Sequence, residues 1–344
     1  MKKLVVIMFV LSLIMACTVN AKSKKNKSPK WLDNPKSVYP DQIYLVAVGE
    51  GDTRSDAQNM AAANLSKIFE SKIHADENVN QRYSEITKKG KTNVSDITNV
   101  NKNVNISSSQ TLLNIQYANT YTNNLGRVFA LAYIDRMATS EIYQTKIEEN
   151  AKNVKYFTKQ STENDDPLKI YSFLNVALIY AKQNDYLLQQ LDIINGSARD
   201  LINLGYSIND LNIKFANAAN NVTFSLAIKG DDNRITNIVE EMLTDMKFIL
   251  GTNSVLKVEG SINFNDTDLK RNDGFKFVRY NLNIKIKDRS GNILASLNTK
   301  GREGHTTYDE AKERCIRKIQ KKLQKKLKKK LLAYFDNLVI KKGE

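Results

Sequence analysis

At 344 residues, 41% of them hydrophobic, the chain is long enough for about two domains of ordinary size and is neither disordered nor fibrous in composition. Its 52 Lys and Arg against 37 Asp and Glu leave a net charge of +15, which directs attention to anionic partners: phospholipid head groups, wall polymers or nucleic acid. Two histidines, His74 and His305, and two cysteines, Cys17 and Cys315, are too few for a Cys/His metal cluster.

The first residues place Lys2 and Lys3 before an apolar run from Leu4 to Met15 and small residues at its end, the layout of a secretory signal. It is too short to span a bilayer comfortably. Two cleavage readings overlap. Ile14, Met15, Ala16 and Cys17 resemble the bacterial lipobox, in which the cysteine is diacylated and becomes residue one; Val19 and Ala21 supply the small-x-small pattern of ordinary cleavage, releasing a soluble chain that begins at Lys22. The place of Cys17 immediately after the apolar run favours the first. Acylation would hold the chain at a membrane and leave Cys315 without a disulfide partner. Thr18 to Lys30 then reads as a flexible tether of at most about 40 Å, at ~3.3 Å per extended residue.

Beyond the tether, Trp31 sits between Pro29 and Pro35, where it reads as a lid on its own core. A strand over Ile43 to Val48 leads through "GEGDTRSDA" into a helix whose Ala57, Met60, Ala61, Leu65, Ile68 and Phe69 share one face. Gly49 and Gly51 stand where a dinucleotide-binding loop would have its first glycines. Arg54 replaces the third, and Glu50 and Asp52 put negative charge where a pyrophosphate would lie. A near copy, "EGHTTYDEA", occurs at Glu303 to Ala311, again after a strand and before a helix. Ser55 with Gln58, and Thr307 with Glu310, fit capping boxes, so the motif reads as a strand-to-helix joint used twice.

The polar stretch Ser71 to Gln110 reads as extended in its first half and helical in its second. Strands follow at Thr111 to Tyr117 and Arg127 to Asp135, separated by the Asn-rich hairpin loop "NTYTNNLG". Helical patterning holds from Ala138 to about Leu204 as an antiparallel pair, with Asp166 as N-cap, Pro167 at the first helical position and an end near Gly196.

Val222 to Ile228 alternates as a strand, and Ile235, Ile238, Val239, Met242, Leu243 and Met246 form a helix stripe. Strands follow at Leu256 to Phe264, Val278 to Ile286 and Ile293 to Thr299. The middle one alternates so strictly with Arg, Asn and Lys that it must be half in water. The last helix carries Ile316, Ile319, Leu323, Leu327, Leu331, Tyr334 and Leu338 at helical spacing. It also carries eleven Lys or Arg between Lys312 and Lys330, against one acid, Glu313. Its apolar stripe reads as core-facing, and its basic face, with Arg317, Lys318, Lys321, Lys322, Lys325 and Lys326, as a candidate anion-binding surface. The acids Asp266, Asp268 and Asp273 share one loop but lack calcium-loop spacing. No catalytic residue, metal site or cofactor is expected.

Three stretches, "PKWLDNP", "YLVAVGEGDTRSDAQNMAAANL" and "RVFALAYIDRMATSEIYQTKI", with the lipobox at Cys17, resemble the Lpp-twenty family of bacterial lipoproteins from Lys30 to about Ile147. The resemblance implies an acylated cell-envelope protein, anchored at the outer membrane of a diderm bacterium, in a group that includes flagellum-associated accessory lipoproteins. It carries over the acylated cysteine, Cys17, and no active site. The fold expected is α+β: two small sheet domains with helices packed on one face, joined by an antiparallel helix pair. The divisions are a signal peptide (1–16), an acylated cysteine and tether (17–30), an Lpp-twenty-like domain (31–147), a helical connector (148–205) and a C-terminal α+β domain (206–344). The expected role is non-enzymatic. Its partners would be the membrane through the anchor, anionic lipid or wall polymer at the basic helix, and other envelope proteins; nucleic acid is the partner least expected. The alternative is a soluble periplasmic or secreted module that holds an anionic polymer through the same helix.

Overall fold

The computed structural model describes residues 27–73, 76–90, 112–267 and 274–340. The chain enters through α1 (Lys30–Asp33) and a 3-10 turn (Pro35–Ser37), then β1 (Tyr44–Gly51), α2 (Arg54–Glu70) and α3 (Glu77–Gly90). Next come β2 (Gln116–Tyr117), β3 (Tyr121–Thr122), β4 (Val128–Asp135), α4 (Arg136–Thr162), α5 (Pro167–Asp200) and α6 (Ile208–Asn220). The second sheet is built from β5 (Thr223–Lys229), β6 (Ile249–Leu250), β7 (Leu256–Thr267), β8 (Lys276–Asp288) and β9 (Ile293–His305), with α7 (Arg234–Asp245) after β5. A helical segment closes the chain: α8 (Tyr308–Lys322), a π turn (Leu323–Leu327) and α9 (Lys328–Val339). The fold is α+β, with two sheets in two compact units. One unit holds residues up to Leu65 and Ile115–Asp135, and the other holds Ser66–Asn114 and Arg136–Glu344.

In the first unit β4 pairs antiparallel with β1 over its full length, from Tyr44 opposite Asp135 to Gly51 opposite Val128. The short strands β2 and β3 also pair with β4, so β4 is the centre of this sheet. The hairpin into β4 turns at Gly126, whose φ of 80° suits glycine, and the Asn123 carboxamide accepts from the backbone of Leu125 and Arg127 at 3.0 and 2.9 Å. Helix α2 lies on β1 so closely that a Cβ at Gly49 would stand 2.1 Å from the backbone nitrogen of Ala61. Ala57, Ala61 and Leu65 are fully buried, whereas Met60, expected on the same face, is 48% exposed. Trp31 is buried, and β4 supplies Ala130, Leu131, Ala132 and Ile134 to the core.

The second unit carries a five-stranded sheet in the order β6-β5-β7-β8-β9. Its β7, β8 and β9 form an antiparallel meander, while β5 runs parallel to both β6 and β7. The loop that passes the end of β5 is tied down by Gly251 N–H to the Phe224 carbonyl (2.8 Å) and Val255 N–H to the Thr223 hydroxyl (3.0 Å). Val278, Tyr280, Leu282, Ile284 and Ile286 are buried on one face of β8, as the alternation predicts. Helix α7 and the C-terminal helical segment cover that face, all five residues of the Ile238 to Met246 stripe and Ile235 being buried.

Three local expectations are corrected, two in this unit and one in the first. The first half of the polar stretch after Ser71 is helical, as α3, while the second half lies outside the described residues. Helix α6, capped by Ser207 accepting from Asp210 N–H at 3.3 Å, was not anticipated. Of the strand expected over Thr111 to Tyr117, β2 retains two residues, Gln116 and Tyr117.

Helix α5 begins as its sequence requires, with Asp166 accepting from Leu168 N–H at 2.9 Å and Pro167 at the first position. Its start joins the core under the sheet: the Tyr171 ring lies 4.7 Å from Phe335 and 4.9 Å from Phe248, centroid to centroid. A break at Asn195 (φ −158°, ψ 93°) stops the helix one residue before Gly196. The carbonyls of Ile193 and Ile194 freed there accept from the Arg136 guanidinium at 2.8 and 2.7 Å, and the Asn195 side chain caps the short continuation through Ala198 N–H. Helix α3 is held on α9 by the Arg82–Asp336 ion pair (2.8 Å), by Lys329–Glu85 (3.0 Å) and by the Lys89–Asn337 hydrogen bond (3.2 Å).

Candidate functional site

The basic segment that ends the chain buries Ala311, Cys315, Ile319, Leu323, Leu327, Leu331 and Phe335, one residue in every four. Four residues of an α-helix advance by about 400°, so a strict period of four drifts by about 40° at each step and by roughly 240° across this stretch. The π turn at Leu323–Leu327, where Lys328 N–H donates to the Leu323 carbonyl, widens the helix midway. A wider turn holds more residues, which brings the stripe back toward the sheet. Tyr334 and Leu338, expected in the stripe, are half-buried; Phe335 takes the core position.

This packing sorts the six candidate cations. Lys322 turns onto the sheet: its ammonium donates to the Tyr280 hydroxyl at 2.9 Å and to the Thr299 hydroxyl at 2.7 Å, and lies 5.3 Å from the centroid of the Tyr280 ring. Lys318 pairs with Glu303, which raises its pKa above the ordinary lysine value. Arg317, Lys321, Lys325 and Lys326 are exposed, with no hydrogen-bond or ion-pair partner among the described residues. At the start of α8, Lys312 (3.2 Å) and Arg234 (2.9 Å) both reach Asp232, and the Arg234 guanidinium, with Lys312, holds that carboxyl well below the usual range.

The two joints share a capping geometry but differ from expectation in one register. In the first, Thr53 is the cap: its hydroxyl accepts from Asp56 N–H at 3.2 Å and donates to the Asp56 carboxylate at 2.7 Å. Ser55 and Gln58 are not the pair. In the second, Thr307 accepts from Glu310 N–H at 3.2 Å, as expected. Each box is followed by a fully buried alanine, Ala57 or Ala311. Glu50 and Asp52 do not line a phosphate site, because Arg127, directly before β4 in the same chain, ion-pairs with both, at 2.7 Å to Glu50. The backbone of α2 covers the faces of Gly49 and Gly51 that a bound phosphate would need.

Groups with reactive chemistry are engaged elsewhere. The Cys315 thiol is buried, donates to the Val278 carbonyl at 3.4 Å, and is pushed up to about 11 by burial. The His305 ring contacts the Thr306 hydroxyl (3.1 Å) and the Glu310 carboxylate, whose pKa is lowered chiefly by the hydrogen bond from Thr306. Among the described residues no group of three or more His, Cys, Asp or Glu is placed to hold a metal ion. Cys17, His74, Asp268 and Asp273 lie outside the described residues. No helix of the described residues is long and apolar enough to cross a membrane.

A second basic surface, not singled out in the sequence, lies on the other face of the β5–β9 sheet. The same alternation that buries Val278 and Tyr280 turns Arg279 and Asn281 outward, and register sets Arg279 beside Arg302 and Asn265, and Asn281 beside Lys300 and Asn263. Asn265, Arg279, Asn281, Lys300 and Arg302 border an open groove of about 520 Å³ across β7, β8 and β9. The sequence signal was present in the polar positions of β8. What was missing was the pairing that brings the cations of β9 alongside.

Residues 29–135, which span α1 to β4, match the LPP20 lipoprotein family, so the resemblance read from the N-terminal motifs holds for this part of the chain. No curated protein sequence matches. Among solved structures, a minor lipoprotein from Acinetobacter baumannii is 15% identical, with a TM-score of 0.26, over 33% of this chain and 93% of its own. A secreted protein from Helicobacter pylori is 11% identical, with a TM-score of 0.39, over 82% of this chain and 98% of its own.

Proposed function

We propose that the protein is a lipid-anchored component of the cell envelope, held at the outer membrane through acyl chains on Cys17, and that it acts by binding as an accessory to other envelope components. The LPP20 lipoprotein match over residues 29–135 carries this reading. The run Ile14-Met15-Ala16-Cys17 directly after the apolar segment supports it, since a lipid-modified cysteine belongs there. Two or more acyl chains give stable anchoring, and the lysines of the tether favour an anionic leaflet.

In this reading the second unit turns the exposed cations of α8 and the π turn, Arg317, Lys321, Lys325 and Lys326, toward anionic head groups. Lys322 and Lys318 contribute less, because each already has a partner inside the fold. The test is the N-terminal mass of the protein recovered from a diderm host, with membrane fractionation. A diacylated Cys17 in the membrane fraction, lost on Cys17→Ser, is the result expected. An unmodified chain starting at Lys22 in the soluble fraction would overturn the anchor. Binding of the mature chain to anionic vesicles should fall with added salt and with neutralisation of the four exposed cations.

A further inference from the structure

The outward face of the β7–β8–β9 meander has a chemistry that neither the anchor nor the basic helix explains. Its cations and amides come in facing rows: Arg279 with Arg302 and Asn265, then Asn281 with Lys300 and Asn263, then Asn283 with Asn298. Farther along, Lys285, Lys287 and Lys257 continue the positive charge, and Glu259, the acid among these described positions, is neutralised by Lys287 at 2.6 Å. The side chains of Asn265, Arg279, Asn281 and Lys300, which border the groove of about 520 Å³, make no hydrogen bond or ion pair among the described residues. An antiparallel sheet needs only a polar outer face to stay soluble, and Thr, Ser, Glu and Lys would serve. Here asparagines, depleted in strands, fill the middle of three neighbouring strands.

We infer that this open sheet face, centred on Arg279, Asn281, Lys300 and Arg302, is a binding groove for an acidic polysaccharide. Arginine forks and the lysine match the carboxylates of such a chain, and carboxamides, each with two donors and an acceptor, match its ring hydroxyls. A lipid surface would use the charge and leave the asparagines idle. Single-stranded nucleic acid needs rings under successive bases. The rings on this face, Phe275 and Phe277, lie at its end, and the Arg302 guanidinium already stands 5.3 Å from the Phe277 centroid. The groove lies on the opposite side of the sheet from the C-terminal helix, so occupying one does not obstruct the other. The inference does not depend on acylation of Cys17.

The experiment measures binding of the full mature chain to polygalacturonate at low salt, with neutral dextran, an oligothymidylate and anionic phospholipid vesicles as further probes. Two variants carry the same change in charge: Arg279→Ser/Lys300→Ser/Arg302→Ser on the sheet, and Lys321→Ser/Lys325→Ser/Lys326→Ser on the helix. A third, Asn263→Ala/Asn281→Ala, keeps the charge and removes the amides. Circular dichroism confirms that each is folded. Polygalacturonate affinity should fall at least about tenfold in the sheet triple and severalfold in the amide variant. It should change less than about twofold in the helix triple. Absence of polygalacturonate binding, equal losses in the two triples, no loss in the amide variant, or tighter sheet-dependent binding of oligothymidylate or vesicles would overturn it.

Discussion

Replacing Arg82 by Met tests the docking of α3 on α9 most directly. The Asp336 side chain is 2% exposed and its ion-pair partner among the described residues is Arg82, at 2.8 Å and 16% exposed. Burial already pushes the Asp336 carboxyl above its ordinary range, with the Arg82 charge opposing the shift. Removing the cation leaves a buried carboxylate uncompensated, a change that costs about 3–5 kcal/mol at neutral pH. Asp336→Asn should cost less, about 1–3 kcal/mol, because Arg82 has some access to water and the carboxamide still accepts from it. Replacing both, as Arg82→Met/Asp336→Leu, should recover most of the loss, since an apolar pair of similar volume needs no desolvation of charge. A folded-state pKa raised above the unfolded value of about 3.9 means that the folded state binds the proton more tightly. Stability is therefore gained as pH falls through the folded pKa, and the Arg82→Met variant should close part of its gap to the wild type between pH 7 and about 4. Urea unfolding followed by circular dichroism at several pH values reads all four proteins. A cost below about 1 kcal/mol for Arg82→Met, a double variant no more stable than the single one, or a gap that does not change with pH would refute the reasoning.

Other substitutions probe the joints and the thiol. Gly49→Ala places a Cβ 2.1 Å from the Ala61 nitrogen and 2.4 Å from the Ala57 carbonyl, and should cost about 1–3 kcal/mol or more by forcing α2 off β1, measured by thermal unfolding. Gly126→Ala meets nothing within 4 Å and should cost only about 1 kcal/mol, through its φ of 80°. Thr53→Ala and Thr307→Ala should each lose about 1 kcal/mol, whereas Ser55→Ala should stay within about 0.5 kcal/mol; the reverse order would move the first cap. Cys315 should resist iodoacetamide at pH 8 in the folded protein and react fully in denaturant, because its thiol is buried and its pKa is raised to about 11.

Much of the fold was legible because the signals are local. Strict alternation in β8 predicts one wet and one dry face, and an antiparallel meander turns that pattern directly into structure. Asp166, Pro167 and Thr307 act where they stand, on backbone groups within a turn of themselves. Helix α3 was not legible. It is polar, Ile86 is its fully buried apolar side chain, and the groups that hold it, Asn150, Asp336 and Asn337, are remote in the chain. The first cap was misplaced by two residues because Thr53 and Ser55 each precede a suitable acceptor; the choice rests on where α2 can approach the bare backbone of Gly49 and Gly51.

By itself the sequence determined the class of the protein: a resemblance to the LPP20 lipoprotein family that the match over residues 29–135 bears out, an α+β chain with one half-solvated sheet, and a C-terminal helix that is basic on one side and apolar on the other. These follow from composition and from periods of two and about four, which a few adjacent residues suffice to impose. Only the tertiary structure decided which charges are free. Lys322 and Lys325 are alike in sequence, yet one is bound to Tyr280 and Thr299 while the other faces water, because a π turn and the sheet beneath set the rotation of the helix. In the same way Arg279 and Arg302 become a single surface through strand register, a long-range pairing that no local pattern encodes.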